Sequence, residues 1–161
     1  MGQLQRIQHI GLCVADIDRS LAFYVDLLGL RLVERHEPGE GPLGPIGAAF
    51  LSCGQFHHDL VLFYGLQDTG ERGWFGAGRQ PSPPTAHIAF QVENRAVFEG
   101  VLARLRACDV PIVHGPVKHS STHPDGDGTY GENRAFYIQD PDGHVIEIMC
   151  EMAVISSPVI V

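Results

Sequence analysis

Basic residues are scarce. Lys and Arg number 11 against 19 Asp and Glu, a formal net charge of −8 over 161 residues. No basic cluster exists to release counterions from a phosphate backbone, which argues against nucleic acid or an anionic membrane surface as a partner. Long apolar runs are missing too. None approaches the roughly 20 residues of a membrane span, and the N-terminal stretch lacks the basic-then-apolar shape of a signal peptide. The four cysteines, Cys13, Cys53, Cys108 and Cys150, have no paired spacing. They read as small buried apolar groups of a cytoplasmic protein, not as a disulfide framework. Charged residues make up only 19% and hydrophobic ones 44%. That balance excludes a disordered chain and predicts a single globular domain, 1–161, able to bury a core.

What the chain does have is a repeat. His9-Ile10-Gly11-Leu12-Cys13-Val14-Ala15-Asp16 returns as His87-Ile88-Ala89-Phe90-Gln91-Val92-Glu93-Asn94. The offset is 87 − 9 = 78 residues, so the repeat halves the chain. Each copy alternates as a half-buried strand and runs into an amphipathic helix. In the first, Asp16 or Asp18 caps a helix to about Leu28, with Leu21, Val25 and Leu28 on one face and Gly29 past its end. Strands follow near 30–36, 46–53 and 56–64. The second half repeats the order with strand 85–93, helix 95–108, a weak strand near 112–114, and strands near 133–139 and 144–151. The reading is α+β, two βαβββ modules over 1–66 and 85–152. A Gly- and Pro-rich linker, 67–84, joins them. His9 to His58 is 49 residues and His87 to Glu147 is 60, so the second module carries 60 − 49 = 11 extra residues. They fall in an inserted loop at 115–131, long enough to be a functional lid.

The repeated histidines would face each other if the halves pack about a pseudo-twofold axis. A carboxylate joins them. Asp140-Pro141-Asp142-Gly143 reads as a tight turn, and the strand after it is apolar apart from Glu147, flanked by Ile146 and Ile148. A carboxylate inside a buried strand is costly unless paired or bound to a metal. For an isolated Glu the plain expectation is a salt bridge to a nearby Arg. With two strand-leading histidines, His9, His87 and Glu147 instead make the two-imidazole, one-carboxylate triad of non-haem Fe(II) sites. Such a donor set also accommodates Mn, Zn, Ni or Co. Superposing the halves on their turn glycines puts His58, four residues after Gly54, where Glu147 stands four residues after Gly143. His58 then serves as a fourth ligand or as an acid/base beside the substrate. By strand alternation His57 should face the other way. His36, His114 and His144 read as surface residues. Trp74, Phe75, Phe90, Tyr130 and Phe136 are candidates for an aromatic pocket, though strand aromatics are more often core.

The paired modules, the His-Ile-Gly-Leu and His-Ile-Ala-Phe openings and the closing Asp-Pro-Asp-Gly-x-x-x-Glu resemble the vicinal oxygen chelate superfamily. That group includes glyoxalase I, epimerases, drug-resistance proteins and type I extradiol dioxygenases. The resemblance implies an open, cup-shaped mixed sheet around a central metal site. Phe136 to Glu147 and the strand Phe56-His57-His58-Asp59-Leu60-Val61-Leu62-Phe63 are similar to stretches of the extradiol enzymes. By that resemblance His9, His87 and Glu147 hold iron, His58 is the acid/base, and Tyr137 hydrogen-bonds a substrate-derived oxygen. The implied activity is Fe(II)-dependent cleavage of a small catechol-like aromatic diol by O2, in a homodimer or higher homo-oligomer. The dioxygenase signature also has a histidine near 128–130. This chain has Gly128, Thr129 and Tyr130 there, so either His119 or His123 of the inserted loop folds back in its place or the role is missing. Two rivals stand beside this reading. One is a metal-dependent glyoxalase-type lyase or epimerase/isomerase that needs no O2 and typically carries a carboxylate or amide where His58 stands. The other is a metal-free protein that sequesters an aromatic drug.

Overall fold

Strand-forming apolar stretches build two separate four-stranded sheets in a computed structural model that describes residues 6–40, 44–65, 86–128 and 131–153. The chain divides into two compact units, Met1–Pro84 and Thr85–Val161. The first contains β1 (Ile10–Cys13), α1 (Ile17–Leu21), β2 (Arg31–His36), β3 (Gly47–Ser52) and β4 (Leu60–Tyr64). The second contains β5 (Ile88–Gln91), α2 (Arg95–Ala107), β6 (His114–His119), β7 (Asn133–Gln139) and β8 (Val145–Cys150). Sheet orders are β1-β4-β3-β2 and β5-β8-β7-β6, the first pair of each parallel and the rest antiparallel. The βαβββ order is as the repeat predicts in both units.

Alternation divides each sheet into two faces. In the second unit Ile88, Ile146 and Ile138 are in register, and so are Ala89, Glu147, Tyr137 and His114. The isoleucine row is buried, together with Phe136, Ile148 and the Phe98, Leu102 and Leu105 stripe of α2. Phe98 meets Phe136 edge-on at 5.1 Å. Asn94 caps α2 by accepting from the Val97 N–H at 3.0 Å. The opposite row carries the polar side chains.

In the first unit Asp16 caps α1, its Oδ1 accepting from the Arg19 N–H at 3.0 Å. The helix then widens into a π-helical stretch, Ala22–Leu27. The wider turn rotates the sequence relative to an α-helical face. Phe23 and Tyr24 are therefore buried, while Leu21, Val25 and Leu28, expected on the inner face, are only half-buried.

Several expectations need correction. β4 begins at Leu60, not near Phe56, because 53–59 form bends after Ser52. β6 runs to His119, so the insertion begins at Ser120 and not at Gly115. Gly115 and Pro116 disguise that strand. A register shift between His114 and Val117 absorbs them, at a sheet edge where Pro is tolerated. Of the cysteines, Cys150 is buried but Cys13, Cys53 and Cys108 are exposed and free. The linker 67–84, Trp74, Phe75 and Tyr130 lie outside the described residues. Phe136 is core, fully buried on the helix side. No helix among the described residues is long and apolar enough to cross a membrane.

Candidate metal centre

The polar row of the second unit brings the expected residues together. Glu147 on β8 lies between Ala89 on β5 and Tyr137 on β7, and His87 stands two residues before Ala89 on the same face. His87 Nε2 is 3.0 Å from Glu147 Oε2, with side-chain exposures of 43% and 7%. The carboxylate is thus nearly sealed while the imidazole opens to solvent. No Lys or Arg pairs with Glu147 among the described residues, so the plain expectation of an Arg salt bridge is not met. Tyr137 is the cross-strand neighbour of Glu147, and its ring meets His87 edge-on at 5.7 Å. Burial first, then the charge of Glu147, push the Tyr137 phenol up to about 12.

In the first unit His9 precedes β1 as His87 precedes β5. Its Nδ1 is hydrogen-bonded to Gln8 Oε1. With an amide oxygen on Nδ1, the other ring nitrogen is the one available for coordination. His58 lies beside it, ring centroids 4.7 Å apart, and packs edge-on against Phe50 at 5.1 Å. Gln8 Nε2 donates to the His58 carbonyl at 2.9 Å, tying the two segments. Burial lowers the His58 imidazole below its ordinary value, helped by the neighbouring His9 and His57 and opposed by Asp59. His57 does not face away. It lies in the bend before β4, where strand alternation does not apply, with its Nδ1 3.0 Å from His58 Nδ1.

The register corrects the correspondence between the halves. Ile10 pairs with Leu60 and Ile88 with Ile146, so Val61, not His58, occupies the position that repeats Glu147. Val61 comes seven residues after Gly54, whereas Glu147 comes four after Gly143, because the first turn is longer. The whole row changes character: Gly11, Val61, Phe50 and Glu34 replace Ala89, Glu147, Tyr137 and His114. The first unit therefore offers an imidazole and no carboxylate at the repeated position. His58 reaches the same face through the bend, not through the strand.

Among the described residues no group of three or more His, Cys, Asp and Glu clusters as a metal-binding set. The donors nevertheless suit a divalent cation. Glu147 is a buried carboxylate with no fixed cation, next to an imidazole that approaches through Nε2.

His119, one of the two loop histidines that could replace the missing signature histidine, reaches Tyr137, beside two residues not marked in the sequence, Asp127 and His114. His119 Nε2 is 3.0 Å from the Tyr137 hydroxyl, and Asp127 Oδ2 is 2.6 Å from His119 Nδ1. His114 is exposed as expected but packs its ring on Tyr137 at 5.5 Å, being its cross-strand neighbour. The missing signature histidine was the available signal for His119; nothing in the sequence singled out Asp127. His144 binds the fully buried Asp140 carboxylate at 2.8 Å, which closes the turn before β8. His123 bonds within its own loop.

Residues 6–148 match the model of the Glyoxalase/Bleomycin resistance protein/Dioxygenase superfamily. The glutathione transferase FosA of Serratia marcescens is 30% identical over 149 residues, covering 90% of this chain and 80% of the relative. A lactoylglutathione lyase of Haemophilus influenzae is 31% identical over 147 residues, covering 89% and 91%. The biphenyl-2,3-diol 1,2-dioxygenase of Paraburkholderia xenovorans is 40% identical over only 58 residues, 36% of this chain and 20% of the relative. Among solved structures, a lactoylglutathione lyase from Agrobacterium tumefaciens has a TM-score of 0.62 at 23% identity, covering 92% of this chain and 96% of the other. The chain belongs to the glyoxalase/bleomycin resistance protein/dioxygenase superfamily.

Proposed function

We propose that the protein is a metal-dependent, O2-independent enzyme of the glyoxalase kind, a lyase or transferase acting on a substrate with two adjacent oxygen atoms. The observation that carries the metal is the Glu147–His87 pair, a sealed carboxylate and an open imidazole 3.0 Å apart with no Lys or Arg partner. His9, the repeat of His87, is the third ligand in this reading, supplied within the chain or by a second copy. A bound divalent ion supplies Lewis-acid polarisation of the substrate oxygens.

The chain's own residues do the rest. Glu147 and His87 would hold the ion with His9 as the third donor, and a three-ligand set leaves positions for a chelating substrate. For the lyase reaction, His58, an imidazole where such enzymes typically carry a carboxylate or amide and held below its ordinary value mainly by burial, would take a proton from the carbon beside the chelating oxygens and return it to the neighbouring carbon. No atom is gained or lost, so no oxidant is needed. Tyr137 orients a substrate hydroxyl by hydrogen bonding. Relatives that span about nine-tenths of the chain include a transferase and lyases named for glutathione, which supports this class.

A second reading is extradiol cleavage of a catechol-like diol by Fe(II) and O2. It is favoured by the Phe136–Glu147 motif, the His57-His58 pair and the 58-residue match to a diol dioxygenase. The test is turnover of glutathione adducts and substituted catechols by protein loaded with Fe(II), Mn, Co, Ni or Zn, with and without O2. Turnover of an adduct that persists without O2 is the expected result. Iron-dependent O2 uptake on a catechol would replace the first reading with the second. A chain that retains no metal would overturn both and favour a drug-binding role.

A further inference from the structure

The inserted loop is folded back on β6 with more hydrogen bonds than a solvent excursion needs. The Ser120 hydroxyl, 1% exposed, accepts from the N–H groups of Thr122 and His123 at 3.2 and 2.9 Å and donates to Glu132 Oε2 at 2.6 Å. The Asp127 N–H donates to the Lys118 carbonyl at 3.0 Å, and the Gly128 N–H to the Ser120 carbonyl at 3.0 Å. Between them Gly126 passes so close that a Cβ would lie 2.2 Å from the Ser120 oxygen, so only glycine fits. These contacts fix one acidic side chain. Asp127 Oδ2 sits 2.6 Å from His119 Nδ1, and both side chains are largely covered, at 27% and 16% exposed.

A carboxylate only accepts, so the nitrogen facing it carries the hydrogen. A neutral His119 then has a bare Nε2, 3.0 Å from the Tyr137 oxygen. The phenol has one hydrogen, with His119 Nε2 3.0 Å from its oxygen and the Glu147 carboxylate as its cross-strand neighbour. If the hydrogen went to Glu147, two lone pairs would confront each other across 3.0 Å. We infer that Asp127 and His119 form a positioning dyad that draws the Tyr137 hydrogen away from Glu147. Two consequences follow. The Glu147 carboxylate keeps its lone pairs for a metal, and the Tyr137 oxygen faces the site as an acceptor. The substrate group it meets is therefore a hydroxyl that donates. The first consequence and the substrate statement rest on the metal reading above; the hydrogen-bond direction does not.

The direction is tested on the metal-free protein by ¹⁵N NMR of histidine-labelled chain above the ordinary imidazole range. Wild type should show His119 protonated at Nδ1 and bare at Nε2. Asp127→Ala should shift it toward the Nε2–H tautomer, whereas Asp125→Ala, which removes an equal charge from the same loop, should leave it unchanged. An Nε2–H tautomer or a doubly protonated ring in wild type would overturn the inference, as would an unchanged tautomer in Asp127→Ala. Co(II) titration gives the second readout: Asp127→Ala should weaken binding about tenfold, in the range for lost outer-shell partners, with Asp125→Ala unaffected. Equal Co(II) affinity in wild type and Asp127→Ala would refute the effect on Glu147. Failure of wild type to bind Co(II) would count against the metal reading alone and leave the tautomer measurement decisive for the dyad.

Discussion

Replacing Glu147 by Gln should stabilise the metal-free protein and abolish its response to metal. The wild-type side chain keeps a carboxylate 7% exposed, with a partner imidazole that is 43% exposed. A solvated histidine recovers only part of the cost of burying that charge. Glutamine keeps the shape and removes the charge, so the gain should be about 1–2 kcal/mol. For a chain of 161 residues, at about 2–4 °C per kcal/mol, the melting temperature should rise by about 2–8 °C. Metal should act in the opposite order. At a free concentration of about 100 Kd, binding adds about 2.7 kcal/mol to wild type, a rise of about 5–11 °C. The variant should show none. Differential scanning fluorimetry of both proteins, stripped by chelator and then titrated with Mn or Co, reads all four states. A variant that melts below wild type when stripped would show that the charge is stabilising as it stands. A variant that shifts with metal as wild type does would remove Glu147 from the centre.

The remaining expectations concern the second half-site, the core and the thiols. His58→Ala should retain metal, by calorimetric titration, and lose turnover; full turnover would exclude its acid/base role. Phe98→Ala removes a 1%-exposed ring that meets Phe136 edge-on and should cost about 3–5 kcal/mol in urea unfolding, with the smaller cavity of Phe98→Leu costing less. Cys13 and Cys53 are exposed, yet desolvation raises both thiols. The thiolate is the reactive form, so their alkylation should begin at higher pH than that of an ordinary thiol. Mass mapping of iodoacetamide adducts across pH would show it, and reaction at the ordinary thiol pH would contradict it.

How much of this was legible depends on which physical signal each residue leaves. His9 and His87 announced themselves because the repeat copies strand starts, and both stand directly before β1 and β5. Glu147 was legible because a lone charge in an apolar strand conflicts with burial, and it is 5% exposed. The match of Val61 to Glu147 was hidden, since turn length, not turn chemistry, sets the register after Gly54. β6 was hidden by Gly115-Pro116, which break alternation only where the strand lies at an edge. Asp127 left no signal at all. Its role comes from a loop that folds through backbone carbonyls and one buried hydroxyl, and sequence patterning carries no trace of those.

The parallel pairings have a consequence for the order in which the protein assembles. In each unit the antiparallel strands are neighbours in sequence, but β1 must find β4 across 50 residues, Ile10 to Leu60, and β5 must find β8 from Ile88 to Ile146. Such distant closures carry the larger chain-entropy cost and follow the local hairpins. His9 and His58 meet across the first of these closures, and His87 and Glu147 across the second. A growing chain therefore has no half-site in either unit until that unit's last strand has emerged. On the proposed reading, metal-binding competence then reports the completed sheet, not any fragment of it.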